Sequence, residues 1–470
     1  MNYLYNLIYN FLILFIPFLT IPYISRIVGV EGVGVYSYTY SIAYYFMLFT
    51  MLGVNNYGNR TIAKHRNNKI KLTESFANIY LIQLVLGLIM LAIYLIYVFY
   101  FDVEYKAVAA IQSLFIISAI LDINWFYFGI EEFKKTITRN TAFKVANAAL
   151  VFIVVKTPDD LWKYTLIMSG MTLASQLFLW VFLKNYISFA KISFKKIKKH
   201  LKSDIILFVP VLAISIYKIM DKIMLGMITG VNEVGFYDNA EKVLTIPITV
   251  ITSLGVVMLP RMSNIVSKGN NRQMEQYIHK SIIFVMFLSF AMSFGLLSIS
   301  DSFSIAFFGQ QFSRVGIILS LLSLTLPITS FANVIRTQYL IPQEKDKIYI
   351  KSVLFGAIAN LILNIILIPI WSGIGACCST IIAELIVMTY QAMSVKKYLP
   401  IKQYIHETST FFLKALIMLA TIYPINWLNL NSVVRIIAQV AIGTLVYGAL
   451  NYRYVISILS NRQIKHIFKK

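Results

Sequence analysis

The chain has 470 residues, 58% of them hydrophobic and only 13% charged, where a soluble protein carries about a quarter of its residues as charges. Its 42 lysines and arginines against 20 acidic residues give a net charge of +22, yet these cations sit in short segments between apolar runs. No aromatic-interleaved basic domain exists to hold nucleic acid, so composition excludes both a soluble enzyme and a nucleic-acid binder and assigns the chain to the bilayer.

Apolar windows of roughly 20 residues, the length that crosses about 30 Å of hydrocarbon as a helix, predict an all-α polytopic membrane protein with about 14 transmembrane helices. In chain order the first six fall at 3–24, 36–54, 76–99, 107–128, 141–155 and 161–183. Six more follow at 205–229, 236–259, 281–300, 315–335, 353–370 and 374–395, and a last pair at 411–427 and 433–452. Lys144 and Asn147 interrupt the fifth window. The first lacks a basic leader and a small-residue cleavage pattern, so it reads as a retained helix rather than a signal peptide.

Loops after even-numbered spans hold most of the cations, including Arg60, Lys64, Arg66, Lys69 and Lys71 in one and Lys191, Lys195, Lys196, Lys198, Lys199 and Lys202 in another. That bias orients the chain with both termini on the cytoplasmic side of the cell membrane. The adjacent Cys377 and Cys378 lie inside an apolar run and read as packing residues. His65, His200, His279, His406 and His466 are dispersed and match no metal-ligand spacing, so neither a metal nor a cofactor is expected.

An internal repeat organises these helices. Gly29-Val-Glu-Gly-Val-Gly-Val-Tyr36 aligns with Gly230-Val-Asn-Glu-Val-Gly-Phe-Tyr237 at five of eight positions, and the same offset brings Arg60 onto Arg261. Later in each half, Ala146-Asn147 matches Ala359-Asn360, and Tyr127, Glu132 and Lys135 match Tyr339, Glu344 and Lys347. Six spans separate the copies, so both share one orientation, as in parallel repeats whose site usually lies between two lobes. The expected organisation is an N-terminal lobe at 1–200, a C-terminal lobe at 201–400, and a final helix pair with a basic cytoplasmic tail at 401–470.

The stretch from Pro22 to Tyr36, leading into Arg60, resembles the opening of Wzx-type polysaccharide flippases, which carry O-antigen repeat units. The segment Asp221-Lys-Ile-Met-Leu-Gly226 followed by Glu233-Val-Gly-Phe-Tyr237 is similar to their second lobe. The resemblance implies the MATE-like fold of the multidrug, oligosaccharidyl-lipid and polysaccharide exporter superfamily. It implies transfer of an undecaprenyl-pyrophosphate-linked oligosaccharide between leaflets for surface polysaccharide such as lipopolysaccharide or capsule. Membrane lipids, and the polysaccharide polymerase machinery, would then be its partners.

Carrying a diphosphate through hydrocarbon requires a shielded cationic path, and ionisable residues inside spans are the natural candidates. Lys218, Asp221 and Lys222 cluster at helical spacing in the seventh span, a phosphate-binding group whose alternative is an internal ion pair with a snorkelling lysine. Arg26, suited to bidentate phosphate contact, and Lys144 are further substrate-binding candidates. Asp122 and Glu384 are candidates for ion coupling or for pairing with these cations, pairing being the simpler role. Pro17 and Pro22 in the first span, with Arg60 and Arg261 at helix ends, are candidate gating residues.

These readings describe alternating access around a cationic central cavity. No Gly-x4-Gly-Lys-Ser/Thr sequence is present to couple ATP directly. The rivals are a flippase for the lipid-linked peptidoglycan precursor and a cation-coupled multidrug antiporter of the same superfamily. The antiporter needs a buried carboxylate, and the chain has no acidic residue before Glu31. A membrane enzyme is a third rival, without a large loop or a His/Asp centre in its favour.

Overall fold

The computed structural model describes residues 2–101, 104–188 and 194–460, and every regular element among them is a helix. Two compact units divide the chain, Met1–Gly235 and Phe236–Lys470.

The first unit holds α1 (Asn2–Met51), α2 (Val54–His65), α3 (Lys69–Tyr100), α4 (Lys106–Ile120), α5 (Asn124–Gly129), α6 (Phe133–Val154), α7 (Leu161–Leu183) and α8 (Phe194–Ile228). Here α1 packs on α3, α4, α6 and α8, while α7 packs on α4 and α6. The helix α9 (Val231–Ser267) follows, then α10 (Asn271–Phe308), α11 (Ser313–Ser323), α12 (Thr325–Ile335), α13 (Asp346–Trp371), α14 (Gly373–Val395), α15 (Ile401–Ile422), α16 (Ser432–Leu450) and α17 (Tyr452–Ser460). In the second unit α10 is the hub, packed against α11, α12, α15 and α16, and α13 pairs with α14.

Each expected window falls on helix, but helices outrun the windows because the hydrogen-bond ladder continues past the hydrocarbon. Among the described residues eleven helices are long and apolar enough to cross a membrane, or twelve with the bent α8 counted as one span. Two expected spans account for the difference from fourteen. The first two run together in α1, which leaves helical geometry only at Gly29, and α6 carries Lys134, Lys135, Arg139 and Lys144.

Helix surfaces are inverted relative to those of a water-soluble bundle. On α13, Ile358, Ile362 and Ile365 are 55%, 52% and 58% exposed while Asn360 and Asn364 are fully buried. A face this apolar is stable only against lipid. Inside, the amide of Asn364 donates to Asn360 Oδ1 at 3.1 Å. Helix ends are closed by side chains, as where Asn68 Oδ1 accepts from the Lys71 N–H at 3.0 Å and Asn270 Oδ1 from Gln273 at 3.1 Å.

The repeat is visible in the backbone. Gly29 has φ 70 and Gly230 φ 97, a region open to glycine and strained for other residues. Five residues on, equivalent glycines meet within the first unit. A Cβ on Gly34 would lie 1.9 Å from the Val231 carbonyl oxygen, and one on Gly235 would lie 2.5 Å from that of Val30. Val30 and Val231 are themselves repeat-equivalent, so the contact is reciprocal.

The later match holds with a register correction. Glu131 and Glu344 both take positive φ, 63 and 54. Both turns close alike, Glu132 N–H donating to Tyr127 O at 2.9 Å and Lys345 N–H to Leu340 O at 2.8 Å. Tyr127 is therefore equivalent to Leu340 and Glu132 to Lys345, one residue from the alignment made on Tyr339 and Glu344. The Ala146-Asn147 match to Ala359-Asn360 already has the corrected offset.

Candidate functional site

The seventh-span cluster sits just past a bend. The segments Lys195–Ile216 and Lys218–Ile228 of α8 meet at 47°. Beside the bend the Tyr45 hydroxyl of α1 donates to the Ser215 carbonyl at 3.2 Å, an intrusion of a side chain into the helical ladder of the kind that accompanies kinks. Directly after it, Lys218 is exposed, Asp221 is 2% exposed and Lys222 is half-buried. The acid thus faces the packed interior while the first lysine faces outward.

The remaining candidates are spread over several helices. Arg26 is exposed, three residues before the Gly29 break, and Lys144 is exposed on α6. Pro17 is exposed and Pro22 half-buried, both inside continuous helix. Arg60 is exposed on α2; Arg261 is exposed on α9, lies over the Tyr277 ring at 4.3 Å and donates to its hydroxyl. Glu384 lies in the second unit on α14 and is buried. Among the described residues no three His, Cys, Asp or Glu side chains are grouped to hold a metal ion. The buried Cys377 thiol donates to the Ile318 carbonyl at 3.8 Å and Cys378 is half-buried, and His466 and Lys191 lie outside the described residues.

Asp122 leads to a residue that sequence reasoning missed. At the turn between α4 and α5 its Oδ1 accepts from the Asn124 backbone N–H at 2.8 Å and side-chain amide at 2.6 Å. Asn124 Oδ1 in turn accepts from Arg139 at 2.9 Å. Arg139, on α6, is 3% exposed. It also donates to the Ser175 carbonyl at 3.1 Å, Gln176 Oε1 at 3.3 Å and Asn140 Oδ1 at 2.6 Å. Its Nε has no hydrogen-bond partner among the described residues. A guanidinium at this depth is held by neutral acceptors, with its countercharge one amide away.

The turn itself is braced from behind. Gln83 on α3 donates to the Ala119 and Asp122 carbonyls at 2.7 and 2.9 Å and accepts from the fully buried Trp125 indole at 3.1 Å. Buried networks of this kind fix one arrangement of their helices when satisfied. Arg139 lies four residues after Lys135 and so shares its face of α6, a spacing that does not by itself mark that face as the packed one.

Comparisons with known proteins agree with the residue-level resemblance. A family model described as "Polysaccharide biosynthesis protein" matches residues 1–266. A Shigella dysenteriae protein named "Putative O-antigen transporter" is 24% identical over 385 residues, covering 81% of this chain and 96% of that protein. The fold is similar to that of a lipid II flippase MurJ in an inward closed conformation, with TM-score 0.77 and 18% identity over 96% of this chain and 99% of the other. It is also similar to an inward-facing multidrug resistance MATE family transporter of the MOP superfamily, at TM-score 0.59 and 14% identity over 78% and 94% of the two chains.

Proposed function

This chain belongs to the polysaccharide biosynthesis protein family, and from that premise we propose that it is the flippase for undecaprenyl-pyrophosphate-linked oligosaccharide repeat units in surface polysaccharide biosynthesis. It is a multi-pass membrane transporter of the lipid-linked polysaccharide flippase class, not an enzyme. The observation that carries the reading is similarity over 81% of the chain to a relative named as an O-antigen transporter.

The finer parts follow from charge. In the cytoplasmic membrane, with both termini in the cytoplasm, the chain would work by alternating access with a cationic cavity, its repeat lobes at 1–200 and 201–400 and the last pair of helices as an appendage. Lys218 and Lys222, placed just past the bend in α8, would take the diphosphate, with Asp221 holding their orientation. Arg26 and Lys144 would add cations along the path, and Arg60, Arg261, Pro17 and Pro22 would serve its opening and closing. A lysine pair suits the pyrophosphate because each ammonium meets an oxygen as a point charge without the planar match that arginine demands. Asp122 and Glu384 would balance buried cations.

Complementation tests the class. Expression in cells lacking a polysaccharide flippase should restore surface polymer for a matched repeat unit. Failure across several matched substrates, with drug efflux restored instead, would establish the antiporter; rescue of a strain lacking the peptidoglycan-precursor flippase would establish that rival. Within the class, the paired substitutions Lys218→Gln and Lys222→Gln should lower translocation at least tenfold while leaving membrane insertion unchanged. Undiminished transport would make the cluster structural.

A further inference from the structure

A groove of about 940 Å3 opens in the second unit among α10, α12, α14 and α15. Its walls are apolar, with Phe290, Phe331, Met388 and Phe412 among them, and its mouth carries Lys396, Lys397 and Lys402. The volume lies toward the upper end of the range for small-ligand sites. No acidic side chain lines it among the described residues. The acid on α15 itself, Glu407, is turned elsewhere, accepting from Gln403 at 2.8 Å and pairing with His279 at 2.6 Å. The three lysines are exposed.

We propose that this groove is a resident site for an acidic glycerophospholipid, with its acyl chains between α14 and α15 and its phosphodiester on Lys396, Lys397 and Lys402. The occupant comes from the bilayer because α14 and α15 are both long and apolar enough to span it. Its head is anionic because three cations and no acid meet it at the mouth. Clusters of this kind beside membrane helices, on the side the charge bias assigns to the cytoplasm, recognise anionic lipid headgroups.

A phospholipid fits a resident site because the bilayer supplies it at all times, whereas the polyprenyl diphosphate of the proposed substrate must leave for transport to proceed. This site is separate from the seventh-span cluster, and binding is measurable without transport.

Native mass spectrometry of the purified full chain gives the test, with phosphatidylglycerol and phosphatidylcholine as probes. One phosphatidylglycerol should be retained in preference to phosphatidylcholine. Each of Lys396→Gln, Lys397→Gln and Lys402→Gln should weaken its retention about fivefold, the effect of about one charge at a lipid surface. Ser409→Trp, at an exposed position lining the groove, should lower retention of both lipids alike, and Lys→Arg variants should keep the preference for phosphatidylglycerol. Equal retention of the two lipids by the wild type, or unchanged retention in the glutamine variants, overturns the proposal. So does displacement of phosphatidylglycerol by an equimolar polyprenyl diphosphate, which would give the groove to the transported substrate.

Discussion

The two copies of the repeat join their fifth and sixth helices by the same device with different chemistry. In the first, Arg139 of α6 reaches Gln176 of α7 at 3.3 Å. The equivalent of Arg139 in the second copy, by the offset that relates Glu131 to Glu344, is Ser352 of α13, which accepts from Gln391 of α14 at 2.9 Å. Both first-helix residues are buried, at 3% and 0% exposed. A glutamine of the sixth helix meets each, accepting in the first copy and donating in the second, although by the same offset Gln176 falls on Thr389 and not on Gln391. The junction is polar in both copies, and only the first holds a buried cation with its own set of acceptors.

That difference sets the largest expected effect. Arg139→Leu removes the guanidinium that donates to Asn124 Oδ1, Asn140 Oδ1 and the Ser175 carbonyl and takes away the countercharge of Asp122, and loss of one partner from a buried charge network costs about 3–5 kcal/mol. Ser352→Ala removes two neutral hydrogen bonds, to the Tyr349 carbonyl and from the buried Gln391 amide, at about 1–3 kcal/mol. Thermal unfolding of the two variants in the same detergent should separate them clearly. Equal destabilisation would mean that the charge at Arg139 contributes no more than a hydroxyl. Arg139→Lys should fall between, because a single ammonium cannot reach acceptors arranged for a planar fork.

Arg139 also shows what the sequence could and could not disclose. Hydropathy reports residence in hydrocarbon, so each window fell on helix while α2 and α17 lay almost wholly outside them, and the repeat predicted two junctions that prove to share a positive-φ glycine. A cation close behind Lys134 and Lys135 reads as part of a polar loop, because composition cannot register which way a side chain turns once its helix continues. Asp122 was legible as an acid within a span. Its partner was not, since the connection runs through Asn124, an amide that carries no charge signal. The bend in α8 was equally hidden: prolines drew attention to α1, while the bend lies beside a tyrosine hydroxyl from another helix.

Where the copies agree, they should fail together. Gly34→Ala places a methyl 1.9 Å from a backbone carbonyl oxygen and Gly235→Ala places one 2.5 Å from its counterpart. Neither obstacle is a flexible side chain, so helix positions must shift, at about 1–3 kcal/mol or more for each. Both substitutions should reduce the yield of folded, monodisperse protein, Gly34→Ala the more strongly because its overlap is deeper. A well-tolerated change at one glycine and a damaging one at the other would show that the reciprocal contact is not shared equally by the copies.

The smallest effect comes from the turns that share a left-handed glutamate. A side chain in that region is strained by roughly 1–2 kcal/mol, and glycine relieves this while giving back part of it as unfolded-chain entropy, roughly 0.4–1 kcal/mol. Glu344→Gly should therefore raise the unfolding temperature slightly. Glu131→Gly should do less, because Glu131 pairs with Arg66 across a partly exposed contact of a kind that contributes about 0.2–1 kcal/mol. High salt screens such a pair, so in about 1 M sodium chloride the two glycine variants should gain equally over wild type. A gap that persists in salt would show that the turns differ in backbone strain, and that their common closure is not energetically the same in the two copies.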